Sequence, residues 1–151
     1  MEALTAKRLA LELMQKHELT TKGWKFEFDN GKRRLGCCKY RVKTISFSKH
    51  YLPLVVIEEF TDTMLHEIAH ALVGSGHGHD MIWQRKAIEI GCNGKRLYQG
   101  DKKVEGKYVA VCHKCGTINY QHRKSNKNYS CGKCSGGRFN PEFLLVFKEV
   151  A

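Results

Sequence analysis

The sequence predicts an α+β fold: an N-terminal helix, a small three-stranded antiparallel sheet and two further helices, followed by a separate small β unit. Three observations carry that prediction. Apolar residues recur at helical steps in residues 4–17 and again from about 55 to 73, the stretch between them alternates with period two, and two Cys-x-x-Cys pairs stand 15 residues apart near the C-terminal end. A chain of 151 residues has room for one real core and a small appended module. The expected division is residues 1–94, a basic linker at 95–106, and the cysteine unit at 107–151.

In the first helix Ala6, Leu9, Ala10, Leu13 and Met14 make the apolar stripe, with Lys7, Arg8, Glu12 and Lys16 outside it. Trp24, Phe26 and Phe28 then alternate with Lys25, Glu27 and Asp29, the period of a half-buried strand. Asn30-Gly31 reads as a hairpin turn because both residues tolerate positive φ, and the chain returns through Arg33 to Tyr40. Thr44–Ser48 offers a third strand with Ile45 and Phe47 inward. After Pro53 a long helix is expected over about Val55–Val73, with Phe60, Met64, Ile68 and Leu72 on one apolar line. Gly74-Ser75-Gly76 ends it, and Asp80 is placed to cap a further helix, Met81–Ile90, stopped by Gly91.

The long helix contains Leu65-His66-Glu67-Ile68-Ala69-His70-Ala71. His66 and His70 are four apart and so stand one turn apart on one helix face, where two imidazoles can bind one Zn²⁺. Glu67 follows the first His and leans beside such a metal, where a carboxylate can take a proton from a water on it. A catalytic zinc usually takes three protein ligands and keeps one open position. The turn Gly76-His77-Gly78-His79-Asp80 supplies two candidates. His79, held by the start of the following helix, is the expected third ligand, and His77 is the alternative. Trp83 lies one turn later and can pack beneath.

The run Asp62-Thr63-Met64-Leu65-His66-Glu67-Ile68-Ala69-His70-Ala71-Leu72, followed by Gly76-His77-Gly78-His79-Asp80 and Trp83, resembles the SprT-like zinc metallopeptidases. The resemblance covers about residues 1–92 and implies a zincin-like domain. In that family the ligands are both motif histidines and a His before a Gly/Asp-x-x-aromatic step. His79 matches that step through Asp80 and Trp83, and His77-Gly78 matches part of it. The family includes the Spartan-type proteases, which digest proteins crosslinked to DNA, so the resemblance implies DNA as partner, DNA-bound or DNA-crosslinked proteins as substrates, and a place in DNA repair.

Cys112-His113-Lys114-Cys115 and Cys131-Gly132-Lys133-Cys134, flanked by strand-like Tyr108–Val111 and Phe143–Phe147, are the pattern of a zinc ribbon. Four thiolates close a tetrahedral site, so this zinc would be structural, for two zincs per chain. Residues 95–151 carry 12 Lys and Arg against 4 Asp and Glu, which points to a polyanionic partner. Tyr120, His122, Arg123, Lys124, Lys127 and Tyr129, basic groups interleaved with rings, are the candidate DNA contacts. Cys37, Cys38 and Cys92 have no partner pattern and read as spare thiols.

No apolar run approaches the length of a membrane span, and the first residues lack the order of a signal peptide. A cytoplasmic or nucleoid- or nuclear-associated protein is expected, neither secreted nor bound to a membrane, with no obligate protein partner. The leading reading is a zinc endopeptidase with a basic ribbon bound to DNA. The competing one is a nucleic-acid-binding ribbon protein whose first domain is a scaffold with little or no turnover; Glu67 argues against it, because a structural zinc has no need of that carboxylate.

Overall fold

The computed structural model describes residues 1–150, which divide into two compact units, Met1–Val104 and the described residues from Glu105 onward. The first unit runs α1 (Ala3–Lys16), β1 (Lys25–Asp29), β2 (Gly36–Lys39), β3 (Thr44–Ser48), α2 (Ile57–Val73) and α3 (Met81–Glu89). Its core gathers Ala6, Ala10 and Met14 of α1, Ile45 and Phe47 of β3, and Phe60, Met64 and Ile68 of α2. Each of these is fully buried, and burial of a side chain the size of Phe60 or Ile68 is worth about 1.5–3 kcal/mol. The Phe47 and Phe60 rings meet at 4.7 Å between centroids and join sheet to helix.

The sheet departs from the antiparallel expectation. Its order is β1-β3-β2, with β1 parallel and β2 antiparallel to β3. Asn30-Gly31 therefore opens no hairpin. Asp29 accepts the Gly31 amide (2.7 Å), the Arg34 guanidinium (2.7 Å) and the Ser46 hydroxyl (2.6 Å), and this folds the chain into a loop that places β2 beyond β3. The reason β3 takes the middle is burial. All five of its residues are buried, and its two serines satisfy their hydroxyls on Asp29 and on the Gly31 carbonyl. A strand covered on both faces gains most between two neighbours.

The helix α2 has two buried sides. Phe60, Met64 and Ile68 face the main core, while Leu65 and Ala69 pack with Trp83 and Ala87 of α3. Glu59 accepts the Val56 amide at the start of α2 (3.0 Å), and Gly74, at φ 86°, ends it. Asp80 caps α3 by accepting the Ile82 and Trp83 amides, each at 3.0 Å.

Residues 95–104 belong to the first unit and are not a free linker. Tyr98 donates to Glu59 (2.7 Å), and Tyr98 and Val104 pack on the main core. The second unit carries a sheet of order β5-β4-β6, formed by β4 (Tyr108–Val111), β5 (Ile118–Gln121) and β6 (Lys148–Glu149), with a short helix α4 (Gly132–Ser135). Phe143–Phe147 is not a strand: Pro141–Phe143 form one 3-10 turn, and Leu144 makes a single bridge to Ser130. Phe143 and Leu145 instead fill the small core with Ala110, Cys112 and Cys131. No helix among the described residues is long and apolar enough to cross a membrane.

Candidate metal centres and the buried carboxylate

The helical period of α2 puts His66 and His70 side by side, and the turn after α2 returns His79 to them. His79 Nε2 lies 3.0 Å from His66 Nε2 and 3.1 Å from His70 Nε2. His77 stays outside this group and pairs through Nδ1 with Asp80 Oδ2 at 3.0 Å. Asp80 thus works with one oxygen as helix cap and with the other as partner of His77. Trp83 forms the floor. Its ring lies 4.6 Å from the rings of His66 and His79, stacks on His70 at 5.2 Å, and its indole N–H donates to the His66 carbonyl.

The three rings are held neutral. Burial, with His79 close by, pushes His66 down to about 4, and burial with both neighbours does the same to His70. Burial and then Arg96 lower His79. The Lys95 backbone carbonyl accepts from the His66 ring. Since Nε2 faces the other histidines, that proton sits on Nδ1 and the Nε2 lone pair is directed into the cluster. Three imidazole nitrogens cannot satisfy one another by hydrogen bonding, because each neutral ring has a single proton. A tetrahedral zinc with bonds of about 2.0–2.1 Å would space its ligand nitrogens about 3.3–3.4 Å apart, so the triad fits that ion with little movement.

Glu67 follows His66 on α2 and is only 8% exposed. Its side chain is pressed against β2, where a Cβ at Gly36 would sit 3.0 Å from Glu67 Cγ and 3.1 Å from its Oε1. Burial pushes the carboxyl up to about 7, while Arg34 and the Cys38 amide pull the other way. A carboxyl that changes charge near neutral pH is the result. Gly36 was missed in the sequence, although a glycine inside a strand does mark close backbone approach. The Lys95 carbonyl had no sequence signal at all, since any residue supplies one.

In the second unit Cys112 Sγ is 3.8 Å from Cys134 Sγ, and Cys115 Sγ is 3.6 Å from Cys131 Sγ. A disulfide would need about 2.05 Å. Tetrahedral Zn–S bonds of about 2.3 Å imply sulfur spacings of about 3.8 Å, so the four thiols fit a closed zinc site. The hydroxyl and amide of Thr117 pull Cys115 down to about 6, toward the thiolate that binds metal. Cys37, Cys38 and Cys92 lie outside both clusters. Burial raises all three thiols, Cys38 to about 12 and Cys92 to about 11, which leaves them poor nucleophiles.

Of the candidate DNA contacts, Arg123, Lys124, Lys127 and Tyr129 are exposed, and Tyr120 and His122 are half-buried. Tyr129 pairs with Ser125 (3.2 Å) and meets the Phe147 ring edge-on. Beside them is a cleft of about 360 Å³ whose lining includes Tyr108, Leu145, Phe147, Lys124, Asn128 and Glu149.

Comparison with protein families gives a match to the SprT-like family over residues 5–105, two thirds of the chain. No curated protein matches it. The α+β arrangement of the first unit, with its three-histidine cluster, fits a zincin-like domain.

Proposed function

The chain belongs to the SprT-like family, and from that premise we propose that it is a zinc-dependent endopeptidase acting on DNA-bound or DNA-crosslinked proteins, with the basic ribbon binding DNA. One observation carries the peptidase reading: three imidazoles converge on one point, and the residue that follows the first of them on α2, Glu67, is a buried carboxylate. A purely structural centre gains nothing from burying that group. His66, His70 and His79 would hold the metal and leave one position open. Bound zinc would polarise a scissile carbonyl and acidify a water. Glu67, near neutral in its pocket, takes the water proton and returns it to the leaving amine. Trp83 keeps the three rings in place while this happens.

Support for the DNA part comes from charge and exposure. Arg123, Lys124 and Lys127 are exposed and can meet phosphates, and the lining of the neighbouring cleft includes the rings of Tyr108 and Phe147, on which an unpaired base could stack. The test is cleavage of a DNA-bound protein by the full chain and by Glu67→Gln, with and without DNA. Cleavage by wild type only, stimulated by DNA, is expected. Retained cleavage in Glu67→Gln would refute the mechanism, and equal rates without DNA would refute the tether.

A further inference from the structure

Beyond α3 the chain turns back against α3 and against α2, the helix that carries His66 and His70. Gly91, at φ 100°, reverses it, and the Cys92 amide donates to the Ala87 carbonyl at 2.9 Å. The Asn93 amide then donates to Asp62 Oδ1 on α2 (2.7 Å), and Asn93 Oδ1 in turn accepts the Lys95 amide (2.8 Å). From the other side Gln84 of α3 donates to the Gly94 carbonyl (3.2 Å). Tyr98 closes the span on Glu59. Gly94 has φ 70°, and a Cβ there would lie 2.7 Å from Ile88 Cγ1, so the crossing is close as well as bonded.

Asp62 stands one helical turn before His66 on the same face of α2. It touches none of the three imidazoles' shared nitrogens, yet it anchors the residue two places before the carbonyl that meets His66. We infer that Asp62 is a positioning residue for the three-histidine centre: by pinning Asn93 it holds the Lys95 carbonyl on the His66 ring, which fixes the tautomer and aim of Nε2. This rests on the reading of that centre as a metal site. Groups that orient a metal-binding imidazole are typically worth about 10–100-fold in metal affinity.

The experiment uses the full chain loaded with Zn²⁺ or Co²⁺. Chelator competition measures affinity at the histidine centre, the cobalt spectrum reports its geometry, and the thiolate bands of the four-cysteine site serve as internal reference. Asp62→Ala should lose about 10–100-fold in affinity at the histidine centre and alter its cobalt bands, with the cysteine site unchanged. Asp62→Asn keeps an oxygen acceptor and should recover most of the affinity. Gly94→Ala, which displaces the span without touching α2, should reproduce the loss and covers the case in which Asp62→Ala does not fold. Wild-type affinity and spectrum in folded Asp62→Ala or Gly94→Ala would overturn the inference. Failure of wild type itself to take metal at the histidines would instead overturn the metal-site reading, and the inference with it.

Discussion

Replacing Gly36 by alanine puts one methyl group into the wall of the Glu67 pocket. The added Cβ would lie 3.0 Å from Glu67 Cγ, 3.0 Å from Thr63 Cγ2 and 3.1 Å from Glu67 Oε1. Carbon pairs prefer about 3.5–4.0 Å, so β2 and the carboxylate must separate by roughly half an ångström. Overpacking of this kind costs about 1–3 kcal/mol. Alanine restricts the unfolded chain and offsets about 0.4–1 kcal/mol of it. The net loss of stability is therefore about 1–2 kcal/mol, small enough to leave a folded protein. Catalysis is more sensitive, because a misplacement of about 1 Å can cost 10²-fold, so about 10-fold in kcat is expected here. Zinc content should not change, since the three atoms nearest the new methyl belong to Glu67 and Thr63 and not to a histidine. Metal analysis, thermal unfolding and cleavage of a fluorogenic protein substrate measure the three quantities. A folded, zinc-loaded Gly36→Ala with wild-type kcat would refute the claim that close approach of β2 sets the position of Glu67.

Three further outcomes are expected. Glu67→Gln should keep both metals and lose at least about 10²-fold in turnover; in the zinc-free protein it should also remove a pH dependence. The folded carboxyl is raised to about 7 from 4.5, so its contribution is present below about 4.5 and lost as pH rises through 7, and wild type minus variant should fall by on the order of 3 kcal/mol across that window in urea titrations. His66 and His70 are depressed to about 4, so they stay neutral well below the usual 6.5 and zinc at the histidine centre should survive dialysis at pH 5 to 5.5; release at pH 6.5 would contradict their burial. Cys112→Ser should remove one zinc and unfold the ribbon, whose core is only five buried residues, while the helical circular dichroism of the first unit remains; a ribbon still ordered by amide exchange would refute the metal's structural role.

How much was legible depended on the range of the forces involved. The apolar periodicity of α1 and α2, the Asp80 cap and the glycine stop at Gly74 are local, and the elements appear within a few residues of their expected bounds. The strand pairing was not legible. Asn30-Gly31 has the local chemistry of a hairpin, but Asp29 bonds to Gly31, Arg34 and Ser46 instead, and the gain from covering both faces of β3 outweighs the turn preference. The same holds for Phe143 and Leu145, whose burial around the cysteines took precedence over strand formation.

By itself the sequence determined what short spacing can determine. Two imidazoles and a carboxylate lie on one turn of helix, and two cysteine pairs have the spacing of a tetrahedral site, because backbone geometry alone relates residues three or four apart. Tertiary structure decided everything that depends on a neighbour distant in the chain. It brought His79 and not His77 to the pair, buried Glu67 against Gly36 and so raised it toward neutrality, and folded residues 92–98 back until a backbone carbonyl met His66. Burial and long-range hydrogen bonds are properties of the packed chain, and no local pattern encodes which backbone group will arrive.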